Sequence, residues 1–139
     1  MLYFAYGSNL NMLQMKKRCA DSIPVARVSL KDYKLVFNHF ADIIESKGDI
    51  VQGAIYEVSE NDIKNLDEYE EYPDLYTKIN VTVEDDLGKR YEAFVYVMVK
   101  KDIDKPEQPY YQIIVDGYKD WELAVTCLEK ALEETKKIL

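Results

Sequence analysis

An uncharged run of apolar and aromatic residues, Leu2-Tyr3-Phe4-Ala5-Tyr6, stops abruptly at Gly7-Ser8-Asn9. With no charge and no breaker inside it, the run predicts a short buried strand. Gly7 can take positive φ and leaves the backbone uncovered. Ser8 offers a hydroxyl, and Asn9 is suited to cap the next element. From Asn11 to Cys19 the character is helical: Leu10, Met12, Leu13 and Met15 are apolar, and Lys16, Lys17 and Arg18 lie near the end. The unit is therefore strand, tight glycine loop, helix. Such a loop turns backbone N–H groups towards one spot beside the positive end of a helix dipole. That suits a carboxylate, a phosphate or a developing oxyanion. A plain turn is the commoner use of such a tripeptide, so the weight falls on the residues that accompany it.

At 139 residues the length predicts one domain with a real core. A net charge of −8, with its lysines dispersed, argues against nucleic acid as a partner. No apolar run approaches the roughly 20 residues of a membrane span, and no signal peptide is visible, so the expected setting is cytoplasmic. The two cysteines, Cys19 and Cys127, lack ligand spacing and are expected as reduced, partly buried thiols; a disulfide between them stays open. His39 is the single histidine. It reads as a strand-end residue, and neither a metal site nor a Ser-His-Asp triad is expected of it. The 12 tyrosines fit a β-rich fold and can also wall a pocket.

Ile23–Leu30 and Tyr33–Phe40 read as two β segments or one bent strand, and Ala41–Asp49 as a polar stretch ending in the turn signal Lys47-Gly48-Asp49. Ile50–Val58 is a strong strand whose Gly53 marks a bulge or a close backbone approach. Ser59 caps a helix that must end near Glu71, ahead of Pro73. Tyr76–Glu84 and Tyr91–Val99 form a hairpin across Asp85–Lys89. Tyr110–Val115 leans to helix, ended by Asp116-Gly117. Asp120–Leu139 is a further helix whose stripe, from Trp121 through Leu128 to Thr135, is core packing. The expected class is α+β: five or six mostly antiparallel strands forming a small barrel or curved sheet, flanked by three or so helices.

With metal, nucleotide and thiol chemistry poorly supported, carboxylates remain. Asp67-Glu68-Tyr69-Glu70-Glu71-Tyr72-Pro73-Asp74 is dense in acids at the end of a helix, where the dipole disfavours them. Interleaved Tyr69, Tyr72, Pro73 and Tyr76 predict an apolar wall. Clustered acids with partial burial are the usual route to a carboxylate that accepts a proton near neutrality.

Tyr-Phe-Ala-Tyr-Gly-Ser-Asn-Leu at the start resembles the opening motif of the gamma-glutamylcyclotransferase-like family. The resemblance extends from Leu2 to about Tyr118. Gly48–Tyr56 looks like that family's central strand. Leu66-Asp67-Glu68-Tyr69-Glu70 resembles the segment bearing its catalytic glutamate, which falls on Glu70. Tyr76 stands where a tyrosine follows that glutamate, Tyr96-Val97-Met98 resembles the last core strand, and Pro106 and Tyr110 match parts of a Pro-Ser-x-x-Tyr motif. Three positions depart from the pattern. Glu71 replaces a common glycine, Asp42 an asparagine, and Glu107 the serine of the later motif.

The resemblance implies a small mixed β-barrel and a γ-glutamyl amide substrate, with no metal and no cofactor. Glu70 would relieve the substrate α-ammonium of a proton. The freed amine would then close on its own side-chain carbonyl, releasing 5-oxoproline. The loop Tyr6, Gly7, Ser8, Asn9 and Leu10 would hold the carboxylate or oxyanion, with Tyr76 and Tyr110 orienting the substrate. The leaving group and the oligomeric state are not specified by these residues. A non-catalytic binding module on the same fold is the alternative, and the presence of Glu70 weighs against it.

Overall fold

The first strand, β1 (Leu2–Ala5), lies between two others and closes the sheet on itself. It runs antiparallel to β3 (Phe40–Glu57) and meets β5 (Arg90–Met98) in a parallel step at Tyr3 and Phe94. β2 (Ile23–Asn38) and β4 (Tyr76–Asp85) complete a five-stranded barrel in the order β1-β3-β2-β4-β5. A single 3-10 turn (Ser8–Leu10) and α1 (Met12–Arg18) follow β1; α2 (Glu60–Tyr69) links β3 to β4. Two helices, α3 (Gln108–Asp120) and α4 (Thr126–Ile138), close the chain. This computed structural model describes residues 1–139.

Closure leaves the short β1 no free edge, and its residues Tyr3, Phe4 and Ala5 are all buried. Gly53 faces it from β3. A β-carbon there would stand 2.3 Å from the Ala5 carbonyl oxygen and 2.6 Å from the Phe4 ring. The glycine therefore marks a close approach of backbones, the second of the two meanings its position allowed.

Ile23–Asn38 is one strand, bent rather than divided. Lys31 pairs with Ile50 but Tyr33 with Glu45, so Asp32 alone faces Ser46–Asp49. Asp32 and Gly48 both take positive φ there, and the Asp32 carboxylate accepts the Gly48 N–H at 3.0 Å. The turn signal at Lys47-Gly48-Asp49 thus marks a bulge inside β3, and Ala41–Asp49 is strand rather than loop. His39 alone, at φ 72°, makes the tip between β2 and β3.

α2 opens as expected, with Ser59 and Asp62 capping each other's backbone N–H groups. The end of the chain differs from expectation. Gly117 does not stop α3 but lies inside it, because a β-carbon there would meet the Asn11 nitrogen at 2.6 Å and the Leu10 carbonyl carbon at 2.8 Å. The glycine lets α3 press on the segment after the glycine loop, and the indole of Trp121 donates to the Leu10 carbonyl at 3.0 Å. The last helix starts at Thr126, since Glu122 at φ 55° breaks the run at 121–125. Leu128, Ala131 and Thr135 of the expected stripe are buried. Cys19 is buried and Cys127 exposed, both as free thiols. Burial pushes the Cys19 thiol up to about 12.

Candidate active site

One mouth of the barrel opens into a cavity of about 190 Å³. Its floor comes from β1 and the loop behind it: Tyr3, Tyr6, Gly7, Ser8 and Asn9. Glu70, Glu71 and Leu75 line it from the connection between α2 and β4, with Tyr69 beside them. Tyr76, Tyr96 and Tyr110 supply the remaining aromatic wall, and Phe40 and Ala41 come from the tip of the β2–β3 hairpin. Every sequence-predicted site residue except Leu10 lines this cavity. The Leu10 side chain is fully buried in the core.

Tyr72 also lies outside the cavity. It is exposed, and Lys78 sits 4.3 Å over its ring, so Leu75 takes the wall position predicted for it. Tyr3, Tyr96 and Phe40 join the lining without any signal in the local sequence. Their convergence depends on barrel closure, which brings Tyr3 within 5.4 Å of Phe94 and 5.8 Å of Tyr96.

The loop is tighter than strand, loop, helix suggests. Ser8–Leu10 form a 3-10 turn, closed by bonds from the Leu10 N–H to the Gly7 carbonyl and from the Asn11 N–H to the Ser8 carbonyl, both 3.1 Å. The earlier N–H groups, from Gly7 onwards, precede these internal bonds. Asn11, not Asn9, caps α1, its side chain accepting the Gln14 N–H. Asn9 instead donates to the Tyr3 hydroxyl at 3.0 Å and accepts from the Arg18 guanidinium at 2.6 Å. Arg18 also donates to Gln14 and lies over the Tyr69 ring, 3.5 Å from its centroid. Tyr69 in turn bonds the Ser8 hydroxyl at 3.0 Å. Arg18 thus ties the glycine loop to the end of the acid-bearing helix, a role no local sequence signal announced.

The acids of α2 separate by environment. Asp67 accepts from the Tyr96 hydroxyl at 2.6 Å and pairs with Lys78 at 2.9 Å, which offsets its unfavourable place at the helix end. Glu70 caps the helix, and its carboxyl is drawn into the cavity. Burial pushes it up to about 8, against a smaller opposing pull from Arg18. The hydroxyls of Tyr3, Tyr6, Tyr76, Tyr96 and Tyr110 are all held above the ordinary tyrosine value, first by burial. They stay protonated where Glu70 changes charge.

Backbone groups, two of them from Ala41, set which way the tyrosine protons point. Tyr76 donates to the Ala41 carbonyl at 2.8 Å, and Tyr6 to the Tyr96 carbonyl at 2.7 Å. Tyr110 accepts the Ala41 N–H at 3.0 Å and keeps its own proton. Two hydroxyls therefore meet a ligand as acceptors and one as a donor.

A family model described as "Gamma-glutamyl cyclotransferase, AIG2-like" matches residues 3–123. The chain belongs to this family. It is 32% identical over 144 residues to a gamma-glutamylcyclotransferase of Homo sapiens, with 93% of this chain and 76% of that one aligned. It is 30% identical over 132 residues to a protein of the same name from Bos taurus, covering 86% and 70%. A solved structure titled "Gamma-glutamyl cyclotransferase" superposes with a TM-score of 0.83 at 30% identity, covering 98% of this chain and 86% of the other. The protein is an enzyme of the gamma-glutamyl cyclotransferase family, and the expected barrel with flanking helices is its fold.

The three departures from the family pattern now have structural settings. Glu71 sits at φ 51°, a left-handed conformation that a glycine adopts without strain. Asp42 is fully buried, where it accepts from the Met98 N–H and the Asn38 amide and pairs with Lys101 at 2.7 Å. Glu107 precedes α3 as its cap residue, with no side-chain capping bond, and faces the His39 ring at 3.9 Å.

Proposed function

We propose that this chain converts γ-glutamyl amides to 5-oxoproline and a free amine, with Glu70 as general base and then general acid. The observation that carries the reading is the setting of Glu70: a carboxyl inside a cavity, beside the glycine loop, poised at about 8. A carboxyl held near the operating pH meets the condition under which general-base proton transfer is most efficient.

The loop amides and the nearby Arg18 charge favour the substrate's α-carboxylate, or the oxyanion that forms as the ring closes. Tyr6 and Tyr76, as acceptors, steer the α-ammonium; Tyr110 has a proton to donate to an oxygen. Deprotonated by Glu70, the α-nitrogen attacks the δ-carbon, and a five-membered lactam forms as the C–N bond to the amine breaks. The proton held by Glu70 goes to the departing nitrogen, and the second proton, shed as the ring nitrogen becomes an amide, leaves with it, so the amine departs as an ammonium. Nucleophile and electrophile share one molecule, so a pocket that fixes the folded conformer supplies much of the rate; effective molarities of such closures reach about 10⁵–10⁸ M. A dry cavity of about 150 Å³ accepts a benzene, so about 190 Å³ holds a γ-glutamyl group and leaves the amine substituent at the mouth.

The test is 5-oxoproline release from a panel of γ-glutamyl amides, with Glu70→Gln alongside. The native protein should turn over at least one member and Glu70→Gln none, with its fold retained. Equal turnover in both would remove Glu70 from the mechanism.

A further inference from the structure

The γ-glutamyl half of any substrate is fixed by the floor of the cavity, but the amine that leaves must project past its rim. The acidic residues lining the cavity are Glu70, within and held protonated by burial, and Glu71 at the exposed edge. Glu71 makes no ion pair or hydrogen bond through its side chain: its bonds run through its backbone, to Glu68, Asp74 and Leu75. Two more acids lie beyond the Phe40 side of the lining. Phe40 lines the cavity and packs against His39 at 4.9 Å, and His39 stands between Asp104 at 3.2 Å and Glu107 at 3.9 Å.

The cations of neighbouring elements are turned elsewhere. Lys78 pairs with Asp67 and Lys101 with Asp42. Arg18 lies behind Tyr69 at the loop end, bonded to Asn9 and Gln14. The cavity is therefore polarised, with the positive charge of Arg18 beside the loop and the Glu71 carboxylate at the rim. Glu71 holds its place despite a positive φ that favours glycine, so the rim carries a charge at a position where the backbone would be easier without a side chain.

We propose that Glu71 selects the leaving group, so that this enzyme acts on γ-glutamyl conjugates of amines bearing a second ammonium in preference to those bearing a carboxylate. The inference rests on the cyclotransferase reading above. In the reaction the amide C–N bond breaks and the α-nitrogen–carbon bond forms; of the two protons the α-ammonium sheds, one passes through Glu70 and the other leaves as the lactam forms, and both end on the departing amine, which leaves as an ammonium. The distal ammonium takes no part in these bonds and acts only by pairing with the rim carboxylate. A partly exposed pair is worth up to about fivefold, and reversing the distal charge counts the effect twice. A spread of about tenfold or more in kcat/KM is expected between cationic and anionic substrates.

Three probes of equal reach isolate the charge: the γ-glutamyl conjugates of 1,4-diaminobutane, n-butylamine and 4-aminobutyrate. Their kcat/KM for 5-oxoproline release is measured in the native enzyme, Glu71→Gln and Glu71→Gly, at low and high salt. The glycine variant relieves the left-handed strain, so its fold is secure and lost activity in it cannot be assigned to unfolding. The native order should be diamine, butylamine, aminobutyrate. Both variants should compress the spread to about threefold or less, and salt should compress it in the native enzyme alone. A native preference for the aminobutyrate conjugate overturns the inference, as does a ranking unchanged in both variants. Turnover of none of the three, with other γ-glutamyl amides of the panel turned over, overturns this inference alone; turnover of no γ-glutamyl amide at all overturns the cyclotransferase reading and this inference with it.

Discussion

A buried carboxyl raised to about 8 must weaken the fold as pH rises, and removing it must show by how much. Glu70 ordinarily titrates at 4.5 and is held at about 8 in the folded chain. Between these values the folded protein keeps a proton that the unfolded chain has released. Stability therefore falls as pH climbs through that window, and the full cost is reached above about pH 8. Each pH unit of separation is worth about 1.36 kcal/mol, which sets a ceiling of about 5 kcal/mol. Glu70 retains some contact with solvent, so about 2–4 kcal/mol is the expected effect. Glutamine has nearly the same shape and carries no charge at any pH. The thermal midpoints of the native protein and Glu70→Gln should coincide below about pH 4.5. They should separate as pH rises, until the variant melts about 10 °C higher near pH 9, at roughly 3–4 °C per kcal/mol for a chain of this size. Other titrating groups cancel in the difference. A difference that stays flat from pH 4 to 9 would show that the carboxyl is not held in its uncharged form, and the poised-base argument would fail. The same group predicts that kcat/KM rises with pH through a midpoint near 8 on its acid side.

Arg18→Met removes the cation that opposes the rise of Glu70 and unties Asn9 from the helix end; the acid limb of the pH–kcat/KM profile should move to higher pH, and activity should fall about tenfold or more. Gly117→Ala drives a methyl into the Leu10–Asn11 backbone, so 5-oxoproline release should drop while circular dichroism retains the native helix and strand signal, with a stability loss of about 1–3 kcal/mol. Lys101→Ala strands the buried Asp42 carboxylate and should cost about 2 kcal/mol by chemical denaturation, whereas the same change made in an Asp42→Asn background should cost little.

The opening strand, the capped α2 and the β4–β5 hairpin were legible because each is set by local pattern: an apolar run, a capping residue, two alternating runs around a turn. Elsewhere a tertiary contact overrides the local signal. Gly48 and Gly117 are turn or stop residues by local rules, yet one serves a bulge in a continuous strand and the other a close helix-to-loop approach. Asn9 has the chemistry of a cap, but the extra 3-10 turn moved that task to Asn11. The lining residues Tyr6–Asn9, Glu70, Tyr76 and Tyr110 were readable through family resemblance. The pairing of Arg18 with Tyr69 and Asn9, and the entry of Tyr3 and Tyr96 into the cavity, arise from barrel closure and have no signature in linear spacing.

The backbone of Ala41 has a consequence for how this cavity can change. Its carbonyl fixes the proton of Tyr76 and its N–H fixes the lone pair of Tyr110. The donor-and-acceptor pattern met by a ligand is thus written in main-chain atoms, which any substitution at residue 41 except proline leaves in place. It is instead tied to strand alignment. Inserting or deleting one residue between the tip at His39 and the bulge at Ser46–Asp49 would turn other peptides to face these tyrosines and scramble their polarity, even with every pocket side chain kept. Remodelling of substrate choice is therefore open at the rim by exchange of side chains, while the floor is protected against substitution and vulnerable to changes of length.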